Sequence, residues 1–424
     1  MGLSFKINFS CITMNQDASH KPSSWTASAP RLMTTQVLAG FSQWIDIFLI
    51  FSVPAFLWQS TPGQIAIIAS CFGLPGLFLG PFIGAILDRL DARRVAFIGA
   101  LIRTALTGCI AFAGEFEFFS ALVMLKGMAN VFYWPATSIL TQQLIGPTER
   151  INYFSSLSAL DQITKIMTPL IAGAATLFIE LRLVFLISAI MTLASAAIIF
   201  LLPKSNLQHH GKEFSESVLQ VFLAGQKLIK TLPSDLLLSI ILGIGISFSL
   251  AIYDPHVAAY LNSLKFDPKT FSLLVSSTAT GAACGALCIR FFGKKFPPIR
   301  FIQTGIAIFF IAISSIATIA GYFSETTNVA ALLILWFMTG IGYEVFLIGS
   351  SVTMQNLCPP HLLGRVVTSA RSLQMLAVVT GPLIGAWLIS ARSRATPFGV
   401  SALVVCLLLM ASLRSFPRLT PTSR

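Results

Sequence analysis

The sequence predicts an all-α membrane protein: twelve transmembrane helices in two pseudo-symmetric six-helix lobes. Three observations predict it. Mean hydropathy is +0.81. Of the 424 residues 55% are hydrophobic and 10% charged, where a soluble domain carries roughly a quarter charged. Apolar runs of about 20 residues, enough to cross a bilayer as a helix, recur along the whole chain. Landmarks also repeat. Gly80, Gly84, Arg89, Arg93 and Arg94 return 201 residues later as Gly281, Gly285, Arg290, Lys294 and Lys295, and Pro147 and Pro169 return 213 later as Pro360 and Pro382. Two apolar halves on one plan are the mark of a two-lobed membrane transporter.

Residues 1–33 are polar and Ser-rich with no apolar core, so they read as a cytoplasmic tail without a cleavable signal peptide. The first lobe, 34–202, holds spans over 34–58, 64–87, 95–114, 119–140, 152–177 and 181–202. The Gly80–Arg94 stretch closes its second span and opens its third. A polar connection follows over 203–235, where apolar residues from Phe214 to Leu223 recur at helical spacing and predict an amphipathic surface helix linking the halves, a solvated tether being the alternative. The second lobe, 236–416, holds spans over 236–260, 270–290, 300–322, 329–352, 367–390 and 396–415, before a short tail, 417–424. Backbone hydrogen bonding in lipid makes these helices, and nothing alternates like a barrel strand.

The net charge of +12 does not point to nucleic acid, because the basic residues sit in short clusters between apolar runs. Of the 28 Lys and Arg, Arg103, Lys126 and Lys165 lie within spans. Arg182, Lys265, Lys269, Arg392 and Arg394 fall on one side and the rest on the other, which predicts cytoplasmic termini. No CxxC pair or His-spaced cluster suggests a metal, and Cys71, Cys109, Cys284, Cys288 and Cys406, inside apolar stretches, read as small buried residues. Neither a phosphate loop nor a nucleophile–base set appears, so the chain is not expected to be an enzyme or to need a cofactor.

Gly76, Gly80 and Gly84 share one face of the second span and predict close approach by another helix. Asp88, Arg89, Arg93 and Arg94 at its end predict a gating loop, with arginines pairing to acids across the lobe interface. The second-half copy has Ile289 in place of the acid, a degenerate latch. Ionisable groups inside spans are costly and are functional candidates by default. Asp46, near the middle of the first span, is the leading proton-coupling candidate, since a carboxyl in an apolar surround can exchange protons. Glu344 and Asp161 follow. Lys165 lies four residues after Asp161 on one helix, a spacing suited to an ion pair. Arg103 and Lys126 either anchor an acidic substrate or neutralise Asp46 or Asp161; pairing of Asp46 with Arg103 is the structural alternative to a proton role.

The stretch Gly84-Ala85-Ile86-Leu87-Asp88-Arg89-Leu90-Asp91-Ala92-Arg93-Arg94-Val95 resembles the loop between spans two and three of the major facilitator superfamily. Its Asp-Arg-Leu-Asp form is similar to the branch holding macrolide-efflux proteins and the enterobactin exporter. The resemblance covers 34–415, including Leu363-Gly364-Arg365-Val366. Antiporters of the family carry Gly-Pro-x-x-Gly in span five, thought to bend the helix and limit leak. Here Thr168-Pro169 keeps the proline, with Gly173 one residue late, while Gly381-Pro382-Leu383-Ile384-Gly385 in span eleven has the fuller form. The resemblance also implies that spans one and four line the cavity, which makes Trp44, Tyr133 and Trp134 candidate substrate contacts; being adjacent, Tyr133 and Trp134 point in different directions.

The resulting expectation is proton-coupled efflux of a small amphipathic molecule (drug, toxin or siderophore) by alternating access, in a bacterial inner membrane. The partners would be that molecule, protons and lipid, with oligomeric state open. An importer of a small metabolite, or a non-transporting receptor on the same scaffold, are the alternatives.

Overall fold

The computed structural model describes residues 25–87, 90–145, 150–203, 232, 234–292, 296–322, 328–358 and 360–415. The linker helix expected in 203–235, Asp88, Arg89, Lys294, Lys295 and the 417–424 tail lie outside the described residues.

Twelve long helices make up the described fold. In the first lobe they are α1 (Trp25–Ser52, continued by a π-helical turn Val53–Leu57), α2 (Pro62–Leu87), α3 (Ala92–Ala111), α4 (Phe116–Leu144), α5 (Arg150–Ala175) and α6 (Val184–Phe200). In the second, α7 starts as Ser234–Tyr253 and passes through a 3-10 turn, Asp254–His256, into Val257–Ser263. It is followed by α8 (Pro268–Phe292), α9 (Pro298–Tyr322), α10 (Val329–Leu357), α11 (Pro360–Ala391) and α12 (Thr396–Ser415). Ten are long and apolar enough to cross a membrane; α4 and α5 fall short. Lys126 in α4, and Asp161 with Lys165 in α5, lower their apolarity. The α1 helix begins at Trp25, inside the stretch read as tail, because hydrogen bonding carries a helix past the lipid edge that the apolar run marks.

Both lobes pack alike. In the first, α1 touches α5 and α6, α2 touches α4, and α3 touches α4 and α6; in the second, α7 touches α11 and α12, α8 touches α10, and α9 touches α10 and α12. Between lobes α2 meets α11 and α5 meets α8, pairs that exchange under the same two-fold. The symmetry reaches the breaks in α1 and α7. Pro54 opens the π turn and Pro255 the 3-10 turn, 201 residues apart, which is the offset of the glycine landmarks. Proline lacks the N–H that would continue the regular ladder.

Close packing differs from the sequence expectation. Among the described residues a Cβ at Gly76 would meet nothing within 4 Å, so none of them packs closely there. The approach to α2 comes instead at Gly127 of α4, whose added Cβ would stand 2.9 Å from the Phe72 carbonyl, and at Gly73, 3.1 Å from Val379 of α11. Gly80 and Gly84 lie on α2, but their surroundings are outside what is described. Large apolar side chains face outward, such as Phe291 at 71% exposure and Ile190 and Trp387 at 67%, as a lipid-facing surface requires.

Loops 58–61, 112–115, 264–267 and 392–395 lie at the end of the bundle opposite the termini, here called distal. An apolar core there runs through both lobes and includes Phe48 and Phe271, stacked at 5.4 Å. Hydrogen bonds join the lobes in this half: Asn262 Nδ2 to the Ala55 carbonyl (2.6 Å), Ser276 Oγ to Ile166 (2.9 Å) and Ser70 Oγ to Val379 (3.1 Å).

Candidate functional site

The two lobes enclose a cavity of about 320 Å³, lined by α1 and α5 from one and α7, α8, α9 and α10 from the other. That volume sits at the lower end of small-molecule sites. Its wall is aromatic, with Trp44, Phe48, Tyr253, Phe271, Trp336 and Tyr343 among the lining residues, and carries Lys165, Asp254 and Glu344. Lys165 Nζ lies 2.7 Å from Asp161 Oδ2 and 5.8 Å from the centre of the Trp44 ring. Asp161 lines a second pocket of about 360 Å³ toward the terminal end, with Gln36, Gly40, Trp134 and Thr141. The Asp161–Lys165 pair therefore stands between the two spaces.

Asp46 is elsewhere. It is completely buried inside the first lobe and does not line the cavity. Lys126 of α4, equally buried, forms an ion pair with it and donates to Thr107 of α3. Ser188 Oγ of α6 donates to Asp46 Oδ1 at 2.7 Å, and Ser42 Oγ lies 2.8 Å from Ser188 Oγ and 2.5 Å from Thr192 Oγ1. One carboxylate thus ties α1 to α4 and α6, with α3 held through Thr107, and begins a chain of buried hydroxyls toward the terminal end. Distal to it stand Leu49, Ile50, Val53 and Phe185, all buried and apolar.

Arg103 is not the partner of Asp46. Its guanidinium lies 4.5 Å from the centre of the Tyr133 ring and donates to Gln43 Oε1 at 3.3 Å. The buried cluster of Asp46, Lys126 and Arg103 holds two cations and one anion, the excess being spread over aromatic faces. Tyr133 does not reach the cavity: completely buried in the lobe, it shares a 3.2 Å hydrogen bond with Ser195. Trp134, its neighbour, points to the terminal-side pocket, and of the three aromatic candidates Trp44 alone lines the central cavity.

Arg93 and Arg94 also act differently from expectation. Among the described residues Arg93 meets no group of the other lobe; it donates to the Ile199 carbonyl at 3.3 Å and to that of Phe200, closing the C-terminus of α6. A cation suits that negative helix end. Asp91 accepts from the Arg93 N–H at 2.9 Å and caps α3, and Arg94 pairs with Asp91 at 3.7 Å, largely exposed. Side-chain geometry of Arg365 lies outside what is described.

The proline motifs serve unlike contacts. On α5, Thr168 and Pro169 are buried, and a Cβ at Gly173 would strike Ser272 of α8, across the lobe interface. On α11, a Cβ at Gly381 would stand 2.9 Å from the Ala251 carbonyl carbon, and one at Gly385 would strike the Ile252 carbonyl, both on α7. His256 Nε2 is 3.0 Å from the Pro382 carbonyl, so the fuller motif seats the break in α7. That break presents Asp254 to the cavity, a residue to which the sequence analysis gave no role. The dipeptide Asp254-Pro255 was the available signal of a broken helix.

Among the described residues no cluster of His, Cys, Asp and Glu is arranged to hold a metal. Residues 32–260 and 236–424 each match the model of the Major Facilitator Superfamily. The chain is 23% identical over 359 residues to the "uncharacterized MFS-type transporter YfiS" of Bacillus subtilis (strain 168), covering 82% of this chain and 84% of that protein. It is 23% identical over 378 residues to macrolide efflux protein A of Streptococcus pyogenes, covering 85% and 87%. Among solved structures, a bacterial homologue of the iron transporter ferroportin in an inward-facing state superposes with a TM-score of 0.70 at 16% identity, covering 92% of this chain and 98% of that one. The nucleoside transporter NupG superposes with a TM-score of 0.68 at 14% identity, covering 93% and 99%. With a two-fold pair of six-helix lobes around one cavity and a family model matched over nearly its whole length, this chain belongs to the Major Facilitator Superfamily of membrane transporters.

Proposed function

We propose that this transporter is a proton-coupled exporter of a small amphipathic molecule, working by alternating access in a bacterial inner membrane with both termini cytoplasmic. One observation carries the reading: the lobes share an aromatic, carboxyl-bearing cavity while their described hydrogen bonds to one another lie in the distal half. That arrangement suits a state closed to the outside, which rocking of the lobes would reverse. Relatives named for macrolide and multidrug efflux support the direction.

Proton and substrate are assigned separate places. Asp46 is the coupling carboxyl. Ionised, it holds Lys126; protonated, it would release that ammonium inside the lobe and favour a different packing of α1 on α4. The hydroxyls of Ser188, Ser42 and Thr192 supply a route toward the cytoplasmic side, and the apolar residues distal to Asp46 oppose leak. Glu344 faces the substrate. The test is release of protons from acidified inverted vesicles on addition of an amphipathic compound. Compound-dependent release supports the reading, and net uptake by intact cells would overturn the export direction.

A further inference from the structure

The central cavity narrows the chemistry of its occupant. Asp254 and Glu344 of the second lobe face it, against one ammonium, Lys165. Lys165 is already matched by Asp161 at 2.7 Å. Among the described residues neither Asp254 nor Glu344 carries an ion pair. The charges reaching Glu344 from the first lobe are those of Lys165 and Asp161, which are opposite. An occupant therefore meets unmatched negative charge, between walls formed by Trp44, Phe48, Phe271 and Trp336. Aromatic faces attract cations, and carboxylates away from bulk water are stabilised by a cation that neutralises them.

We propose that the preferred substrate is a lipophilic organic cation. Its positive centre lies against Glu344 and Asp254, and its apolar body against Trp44, Phe48 and Trp336. An anion such as a deprotonated siderophore is repelled by the same two groups. Asp161 is a positioning residue: it holds the Lys165 charge, and without it Lys165 would present an uncompensated ammonium to the cavity. Asp254 reaches the site because α7 breaks at Pro255, while His256 turns the other way onto α11. The inference rests on the transport reading of the cavity and is independent of proton coupling.

Two probes of one shape and opposite charge test it: tetraphenylphosphonium and tetraphenylborate. Binding of each to the purified full chain in lipid nanodiscs is measured by equilibrium dialysis, with protein-free nanodiscs as background. The expected result is saturable binding of the phosphonium and at least tenfold weaker binding of the borate. Glu344→Gln and Asp254→Asn each weaken phosphonium binding about tenfold, and Glu344→Asp restores most of it in a monodisperse protein. Asp161→Asn lowers phosphonium affinity and raises that of the borate. Equal binding of both ions, preference for the borate, or phosphonium binding unchanged in both Glu344→Gln and Asp254→Asn would overturn the inference. Flux in vesicles separates the two claims. Borate bound and transported sinks the cation preference and keeps the transporter; phosphonium bound with no flux does the reverse.

Discussion

Replacing Lys126 by Met removes an ammonium that is completely buried and keeps most of the side-chain volume. Asp46 then keeps the Ser188 hydrogen bond at 2.7 Å but has lost its ion-pair partner, with Arg103 the remaining cation of the cluster. Stranding one member of a buried ion pair costs about 3–5 kcal/mol. Asp46→Asn strands Lys126 on Thr107 and should cost a similar amount. The double variant lacks both members of the pair and leaves Arg103 on the Tyr133 ring and Gln43, and its loss should be no more than about 2 kcal/mol, since replacing both partners of a buried pair is often near neutral. The two single losses together thus exceed the double loss by several kcal/mol, a coupling large enough to read in a double-mutant cycle. The assay is SDS-induced unfolding in mixed micelles, followed by tryptophan fluorescence. Additive losses, or a Lys126→Met protein within about 1 kcal/mol of the parent, would refute the pairing as an energetic unit. The size matters for function. A membrane potential of about 150 mV is worth roughly 3.5 kcal/mol per proton carried across, comparable to the cost of freeing Lys126.

Further outcomes follow from the packing. Asn262→Leu removes a distal bond between lobes worth about 0.5–1.5 kcal/mol, so spin labels at Glu115 and Asn328 should report a larger distal-open population; an unchanged distance distribution would contradict the distal lock. Gly385→Val forces atoms into the Ile252 carbonyl, and a loss of at least about 1–3 kcal/mol is expected in the same SDS titration. Arg93→Gln removes the cation from the end of α6, so hydrogen exchange should quicken at the last turn, near Phe200, and stay as in the parent in α9.

The fold was largely legible. Helices need about 20 apolar residues in lipid, and the landmarks at offsets 201 and 213 announced two copies, which the pairwise helix contacts match one for one. Helix limits were less so: apolarity reports the lipid edge, and α1 and α11 run beyond it. Site residues were legible as a set of intramembrane charges but not as pairs. The Asp161–Lys165 pair lies on one helix, where spacing alone brings the groups together. Whether Arg103 or Lys126 meets Asp46 depends on how α3 and α4 rotate against α1, which no spacing encodes. The split between Tyr133 and Trp134 has the same origin: adjacent helical residues diverge, and only the packing decides which way each points. Arg93 looked like part of an interlobe latch because sequence shows charge without showing the helix end that takes it up.

The measurement that bears most directly on coupled export uses inverted vesicles energised to an acidic interior, with tetraphenylphosphonium added and proton release followed by a pH-sensitive dye. The parent chain should release protons on addition, vesicles carrying Asp46→Asn should not, and both should bind the cation with similar affinity. Equal proton release from parent and Asp46→Asn vesicles would contradict the assignment of Asp46, and cation movement without proton release in the parent would contradict coupling itself.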